Sequence, residues 1–313
     1  MDDDIDPQAE AVLEARQAVN LPGGHTLSVG TYREQFRDLL ATQSSEPVET
    51  VRDVSVPGPV TDIPLRIYDP GGGGQLPVVV FFHGGGWVLG GLDCYDNLCT
   101  RLANRAGCLL VSVDYRLAPE HPFPAAVKDS YAATVWVNEN AEALGGDPDR
   151  VAVAGPSAGG NLATVVSLMA RDRDGPGLTH QYLLYPSVNP AGLREFESHR
   201  TYAEGYGLTT ASLHWFADAY CPDPVDKRNV YAFPLQASDL SGLPPATVLS
   251  AEYDPLRDDA FAYEKRLEAD GVDVSHHHYG TMIHDFLSRT DEIDTAIDGI
   301  ETVADDLAEA FEQ

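Results

Sequence analysis

The sequence predicts an α/β fold in which a mostly parallel sheet carries helices on both faces and a helical cap. Short apolar segments alternate with helical segments through most of the chain, and this alternation is typical of buried parallel strands joined by helices. A glycine-rich turn that carries a serine lies between one such strand and a helix. Two helical segments precede the first strand, and a long interval later interrupts the alternation. We expect both regions to cover the carboxyl ends of the strands, where open α/β sheets bind ligands.

The first 48 residues are predicted to form cap helices. Residues 8–20 have apolar side chains at helical spacing, and Arg16 lies near that apolar face. Residues 21–24 read LPGG, a sequence that ends a helix. A second amphipathic helix is expected over residues 29–42.

Eight strands are predicted. Residues 49–56 and 63–68 alternate apolar and polar side chains around a Pro-Gly-Pro turn, which predicts an antiparallel pair at a sheet edge. Six apolar segments continue the sheet, at residues 77–82, 108–113, 151–154, 181–185, 247–251 and 272–279. Helices are expected between most of them, at residues 97–106, 125–138, 161–171 and 258–269. The catalytic core would then comprise residues 49–187 and 244–313, with a cap insertion at residues 188–243 that includes a helix over 210–220.

The charge balance excludes several classes of partner. The chain has 49 acidic and 20 basic residues, for a net charge of −29, whereas nucleic acids and anionic membranes require a positive surface. The apolar strands argue against an acidic disordered protein. An acidic shell suits high salt, because the short Debye length screens its self-repulsion. The composition resembles that of proteins from salt-accumulating halophiles, and we expect a halophilic archaeal source.

The sequence also predicts a soluble cytoplasmic protein. The N-terminus lacks a basic segment followed by an apolar one, so it does not resemble a signal peptide. No apolar run approaches the ~20 residues that a membrane helix needs. The four cysteines show neither C-x-x-C spacing nor the density of a disulfide scaffold; they are Cys94, Cys99, Cys108 and Cys221.

Two glycine-rich loops carry the chemistry. Residues 155–159, GPSAG, follow the strand at 151–154 and precede a buried helix, which is the context of a nucleophile elbow. The alternative is a glycine-rich turn that only packs. Residues 83–87, HGGGW, follow the strand at 77–82, and three glycines free the backbone N–H groups to face a cavity, as an oxyanion hole requires.

With both loops at this spacing, the sequence resembles the hormone-sensitive-lipase family of carboxylesterases, which have the α/β-hydrolase fold. Further matches are DYRLAPEHPFPAA at 114–126, DPLRD at 254–258 and IHDF at 283–286, so that the resemblance spans residues 50–300. It implies hydrolysis of small-molecule esters with short to medium acyl chains through an acyl-enzyme intermediate. It also implies no metal and no organic cofactor, and a monomer or a homodimer.

The resemblance assigns roles to individual residues. Ser157 would attack the ester carbonyl, and His284 would be its base, since the chain order is Ser…Asp…His. Asp254 would fix the imidazole tautomer and stabilise the imidazolium. Asp258 and Asp259 are rival candidates, although carboxylates at the start of a helix also have an electrostatic explanation.

The oxyanion hole would use backbone N–H groups of Gly84, Gly85 and Ala158, with Gly86 as a further candidate donor. His83 is expected to brace the loop rather than to carry a proton. Pro156 departs from the family, which carries aspartate before the serine. Proline favours extended backbone at the preceding residue, so the elbow should still form.

Three alternatives remain open from the residues. The run of three histidines at 276–278 could suggest a metal site, but adjacent strand residues point to opposite faces and cannot easily converge on one ion. An amidase or peptidase could use the same triad. A ligand-binding protein on the same fold, like the plant gibberellin receptors, would lack a working triad, whereas Ser157, Asp254 and His284 are all present here.

Overall fold

The computed structural model describes residues 4–18, 24–189 and 195–312. Within them, eight strands form one sheet in the order β1-β2-β4-β3-β5-β6-β7-β8. β1 pairs antiparallel with β2 and β2 with β4, while the remaining pairs are parallel. The mostly parallel sheet and its antiparallel edge pair are therefore confirmed. The strands are β1 Thr50–Val56, β2 Ile63–Asp69, β3 Leu76–Phe82, β4 Leu109–Val113, β5 Gly146–Pro156, β6 His180–Leu184, β7 Ala246–Tyr253 and β8 Val274–Ile283.

Helices cover both faces of this sheet. In the described residues they are α1 Pro7–Ala18, α2 Val29–Leu40, α3 Asp96–Ala106, α4 Ala125–Leu144, α5 Ala158–Asp172, α6 Ser198–Thr201, α7 Thr210–Tyr220, α8 Arg257–Ala269 and α9 Asp294–Glu312. Strand β3 shows how its two faces divide the core. Val78, Val80 and Phe82 pack in a cluster with α4, α5 and α8. Val79 and Phe81 pack in a second cluster with α3 and α9, as alternation along a buried strand requires.

Some predicted boundaries differ from those in the structure. Helix α1 is described from Pro7 to Ala18. The predicted end of this helix at residue 20, and the predicted break at residues 21–24 except for its last glycine, lie outside the described residues. Helix α4 runs six residues past the predicted end at 138, to Leu144. The C-terminal helix α9 was not among the predicted elements. Its buried side chains recur at helical spacing and pack against α3; they are Ala296, Ile300, Val303, Leu307 and Phe311.

The topology brings four loops to one edge of the sheet. The histidine-glycine loop follows β3, Ser157 follows β5, Asp254 follows β7 and His284 follows β8. Because these strands are parallel, their carboxyl ends meet at that edge. Helices α6 and α7 lie in the interval between β6 and β7. Among the described residues, no helix is both long and apolar enough to span a bilayer.

Candidate active site

Ser157 stands at a strained turn between β5 and α5. Its backbone has φ 56° and ψ −115°, a region that non-glycine residues rarely adopt. The turn needs glycine on both sides of it. A Cβ atom at Gly155 would lie 2.4 Å from the carbonyl oxygen of Phe82, and one at Gly159 would lie 1.8 Å from the same oxygen. The extended strand runs to Pro156, opposite Leu184 of β6, so the proline is accommodated at the strand end.

The structure brings Ser157, His284 and Asp254 into one hydrogen-bonded row. The Ser157 hydroxyl donates to His284 Nε2 over 3.1 Å, and His284 Nδ1–H donates to Asp254 Oδ2 over 2.6 Å. The Asp254 side chain is fully buried. Its other oxygen accepts the N–H of Leu256 over 2.8 Å, so the carboxylate is held in place from both sides.

Electrostatics favour a protonatable His284. Burial lowers the pKa of this imidazole, but the charge and hydrogen bond of Asp254 and the charge of Asp285 raise it, and the net pKa lies above the ordinary 6.5. Asp254 therefore does more than orient the ring, because it also stabilises the imidazolium form. Such a base takes a proton from a hydroxyl more readily than an isolated histidine in the same buried position would.

The two rival carboxylates are engaged elsewhere. Asp259 is fully buried and accepts a hydrogen bond from His199 Nε2 over 2.7 Å. Asp258 accepts from the N–H of Ser198 and from Arg257 Nε, each over 2.9 Å. In the described residues, neither of them lies within hydrogen-bonding distance of His284.

Hydrogen bonds from neighbouring side chains fix the glycine loop that follows β3. Gly85 and Gly86 have φ of 108° and 60°, and within the described part of the chain their N–H groups donate no backbone hydrogen bond. His83 is fully buried, and burial lowers its pKa to about 4. Its Nδ1–H donates to the Gly84 carbonyl over 2.8 Å, while the Tyr115 hydroxyl donates to the His83 carbonyl over 2.8 Å. A neutral His83 thus braces the loop.

The histidines of β8 point to opposite faces of the sheet. His276 and His278 both contact the Ser250 hydroxyl, over 2.7 and 2.9 Å. His277 instead contacts Asp306 of α9 over 2.8 Å. Across residues 4–18, 24–189 and 195–312, no group of three or more His, Cys, Asp or Glu side chains could hold a metal ion.

Two cavities share Ser157 as a lining residue. The larger cavity, of ≈ 300 Å³, is bounded by Gly85, Gly86 and His284 on the core side. Its opposite wall comes from α1, α2 and α7, through Arg16, Tyr32, Gln35, Phe36, Leu39, Ser212 and Phe216. The smaller cavity, of ≈ 20 Å³, is lined by residues that include Ser187, Asn189, His199, Leu213 and Phe233.

Sequence reasoning gave no role in the site to two charged residues that line the larger cavity, Arg16 and Asp285. The guanidinium of Arg16 lies on the apolar face of α1, and the helical spacing of the sequence predicts that position. Asp285, directly after the candidate base, has φ 62° and also lines the cavity. Its position next to His284 in the chain was the available signal.

Known proteins resemble this chain over most of its length. A family model described as the alpha/beta hydrolase fold matches residues 79–288. The carboxylic ester hydrolase LipN of Mycobacterium tuberculosis is 46% identical over 244 residues, which are 76% of this chain and 64% of that protein. The carboxylesterase NlhH of the same species is 42% identical over 295 residues, which are 91% of this chain and 89% of that protein.

A solved structure is similar over nearly the whole chain. The hyperthermophilic esterase from the archaeon Pyrobaculum calidifontis has a TM-score of 0.92 and 41% sequence identity, and the match covers 98% of this chain and 99% of that one. The sheet topology, the loops at its carboxyl edge and these matches lead to one assignment. This chain belongs to the α/β-hydrolase fold family, in the branch that resembles hormone-sensitive lipase.

Proposed function

We propose that this protein is a serine carboxylesterase in which Ser157 is the nucleophile, His284 the general base and Asp254 its partner. The observation that carries the proposal is the row of hydrogen bonds at 3.1 and 2.6 Å that joins these three side chains. The esterase activity named for the relatives supports the reaction type. A serine hydroxyl is a weak nucleophile unless an adjacent base takes its proton, and the row supplies that base.

The reaction would proceed in two halves. Ser157 Oγ attacks the ester carbonyl and its proton passes to His284 Nε2, while Asp254 stabilises the imidazolium. His284 then gives this proton to the leaving alkoxide, which releases the alcohol and leaves an acyl group on Ser157. A water molecule then gives a proton to His284 and attacks the acyl carbonyl carbon. The bond between that carbon and Ser157 Oγ breaks, His284 returns its proton to Oγ, and the carboxylic acid is released.

The developing oxyanion would be bound by backbone N–H groups of Gly84, Gly85 and Ala158, with Gly86 as a further candidate. Ala158 is the first residue of α5, and the first N–H groups of a helix have no partner within the helix. Gly85 and Gly86 both line the larger cavity, and no described backbone carbonyl accepts their N–H groups, which supports their use as donors. One such donor is worth about 3 kcal/mol of transition-state stabilisation.

We further propose that residues 1–48 and 188–243 form the cap over a core of residues 49–187 and 244–313. Side chains of α1, α2 and α7 lining the larger cavity support this division. The larger cavity, of ≈ 300 Å³, is of a size that suits small esters, and we infer short to medium acyl substrates.

The acidic composition supports a protein adapted to high salt in the cytoplasm of a halophilic archaeon. A net charge of −29 destabilises the compact state through self-repulsion unless salt screens it. The four cysteines are free and buried, as in proteins of reducing compartments. We expect the midpoint of thermal unfolding to rise steeply between dilute buffer and molar potassium chloride. Full stability and activity in dilute buffer would contradict salt adaptation.

The decisive experiment is a series of p-nitrophenyl esters from acetate to laurate, assayed in high salt. We expect the highest kcat/KM at short to medium chains, and a loss of at least about 10⁴-fold in kcat for Ser157→Ala. A matched p-nitroanilide distinguishes an amidase. Hydrolysis by Ser157→Ala at the parent rate would refute the mechanism. Binding without turnover by the parent protein would indicate a receptor instead.

A further inference from the structure

A guanidinium faces the larger cavity from the cap side. Arg16 of α1 is one of its lining residues, and Gly207 opposite leaves room for the side chain, because a Cβ atom there would lie 2.7 Å from Arg16 Nη1. In the described residues, no carboxylate oxygen lies within 4.0 Å of this guanidinium. Nor does the group donate a hydrogen bond to any of those residues. Within the described part of the chain, its donors are therefore left for a ligand in the cavity.

Arg16 keeps its charge at neutral pH. Desolvation and the charge of Arg289 lower its pKa to about 10, against the opposing effect of Asp285. The Asp285 carboxylate also lines the cavity, but its surroundings already include the Tyr185 hydroxyl at 3.4 Å and the charges of His284 and Arg289. The charge of Arg289 and the partial loss of water both destabilise the Arg16 cation. An anionic ligand that binds Arg16 would offset both effects.

The position of His284 decides which part of an ester enters this cavity. In the proposed mechanism, His284 must give its proton to the leaving alkoxide, so the alcohol part departs on the side of that histidine. His284 lines the larger cavity and is not among the residues that line the smaller one. We therefore place the alcohol part in the larger cavity. This leaves the smaller cavity, of ≈ 20 Å³, for the acyl part and favours the short end of the chain lengths proposed above.

We propose that the enzyme selects esters of short carboxylic acids whose alcohol part carries a carboxylate, and that Arg16 binds that carboxylate. The proposal rests on the carboxylesterase function proposed above. A guanidinium matches a carboxylate with two parallel hydrogen bonds. The same cavity has aromatic walls, in which Tyr32 and Phe216 stack with ring centroids 5.9 Å apart. An aromatic hydroxy acid, acylated on its hydroxyl, fits this combination.

The test compares two anionic esters with a neutral isostere. The anionic probes are 4-acetoxybenzoate and 4-acetoxyphenylacetate, which place the carboxylate at two distances, and the neutral probe is 4-acetoxybenzamide. Each is assayed with the parent, Arg16→Gln and Arg16→Lys at the lowest salt that keeps the protein folded. Arg37→Gln is the matched control, because Arg37 is exposed on α2, does not line the cavity and loses the same charge.

We expect the parent to favour one anionic ester over the neutral one. The ratio of their kcat/KM values should fall by about tenfold in Arg16→Gln, the worth of a hydrogen bond to a charged group, and mainly through KM. Arg16→Lys should keep an intermediate ratio, and Arg37→Gln should keep the parent ratio. Calorimetric binding of 4-hydroxybenzoate and 4-hydroxybenzamide to the parent and Arg16→Gln measures the same preference without turnover.

Several results would overturn this inference. One is a parent that prefers neither anionic ester, and another is an anionic-to-neutral ratio that Arg16→Gln leaves unchanged. A third is equal slowing of charged and neutral esters together with a displaced acid limb of the pH profile, because Arg16 would then act through His284. If no ester is hydrolysed but 4-hydroxybenzoate binds in an Arg16-dependent way, the anion site stands and the esterase proposal fails.

Discussion

In the described part of the chain, two buried histidine–aspartate pairs lie beside Ser157, and we propose that one of them serves in catalysis. His284 pairs with Asp254 over 2.6 Å, and His199 pairs with Asp259 over 2.7 Å. Both aspartates are fully buried, and the neighbouring carboxylates raise the pKa of both histidines despite the opposing effect of burial. Charge pairing and burial therefore do not distinguish a base from a structural pair.

The ring nitrogen that faces the aspartate makes the difference. His284 gives Nδ1 to Asp254 and keeps Nε2 for the Ser157 hydroxyl, 3.1 Å away. His199 gives Nε2 to Asp259, and its Nδ1 accepts the backbone N–H of Phe196 over 3.4 Å. Both nitrogens of His199 are thus used within the protein. A catalytic pair needs an outward nitrogen aimed at a nucleophile, whereas the second pair joins α6 to α8.

The largest difference between the pairs should appear when each aspartate is changed to asparagine. Asp254→Asn would present an amide to His284 and favour the wrong tautomer, so we expect kcat to fall by about 10⁴-fold. Asp259→Asn leaves the row of Ser157 and His284 intact, and we expect its kcat to stay within about tenfold of the parent, as for a change away from the reacting atoms. Steady-state kinetics on p-nitrophenyl butyrate in high salt measures both.

The same two variants can also refute the different roles assigned to the two pairs. Equal losses of kcat would mean that Asp259 takes part in the chemistry, and that the assignment of roles from ring nitrogens is wrong. Circular dichroism of each variant at the assay salt concentration serves as the control for folding.

The His199–Asp259 pair should show its effect in stability. His199→Leu removes the partner of a fully buried carboxylate, which costs about 3 kcal/mol when a buried ion pair is broken from one side. His199→Leu combined with Asp259→Leu should recover part of this loss, since no buried charge remains. Guanidinium chloride unfolding at constant ionic strength compares the three proteins. A single variant as stable as the parent would show that the pair contributes nothing to the fold.

Much of the site was predictable because its signals are local. The strand, glycine turn and helix around Ser157 occupy adjacent residues, and so do the strand and glycine loop after β3. The choice between Asp254 and Asp259 is different. These two aspartates are five residues apart in the chain. Asp259 pairs with His199 because α6, which belongs to the distant interval between β6 and β7, packs against the start of α8. No local pattern encodes that contact.

Arg16 is a second residue whose role depends on contacts between distant parts of the chain. Its place on the apolar face of α1 was visible in the sequence, but the cavity that gives the cation a role is assembled from α1, α2, α7 and two core loops. The fold itself was predictable because buried strands carry a strong apolar signal. Helix α9 carries a comparable signal in the spacing of its buried side chains, so it too was predictable from the sequence.

The smallest expected effect concerns how Asp285 sharpens the catalytic pair. Its charge is one of the influences that raise the pKa of His284, and His199 is supported instead by Asp259 and Asp258. His284 must be neutral to accept the proton of Ser157, so kcat/KM should fall as pH drops through a midpoint above 6.5. Asp285→Asn removes a negative charge next to the imidazole and should move that midpoint to lower pH. A pH profile of kcat/KM for parent and variant with a neutral ester measures the displacement. A midpoint that stays in place or moves to higher pH would mean that Asp285 does not tune the base.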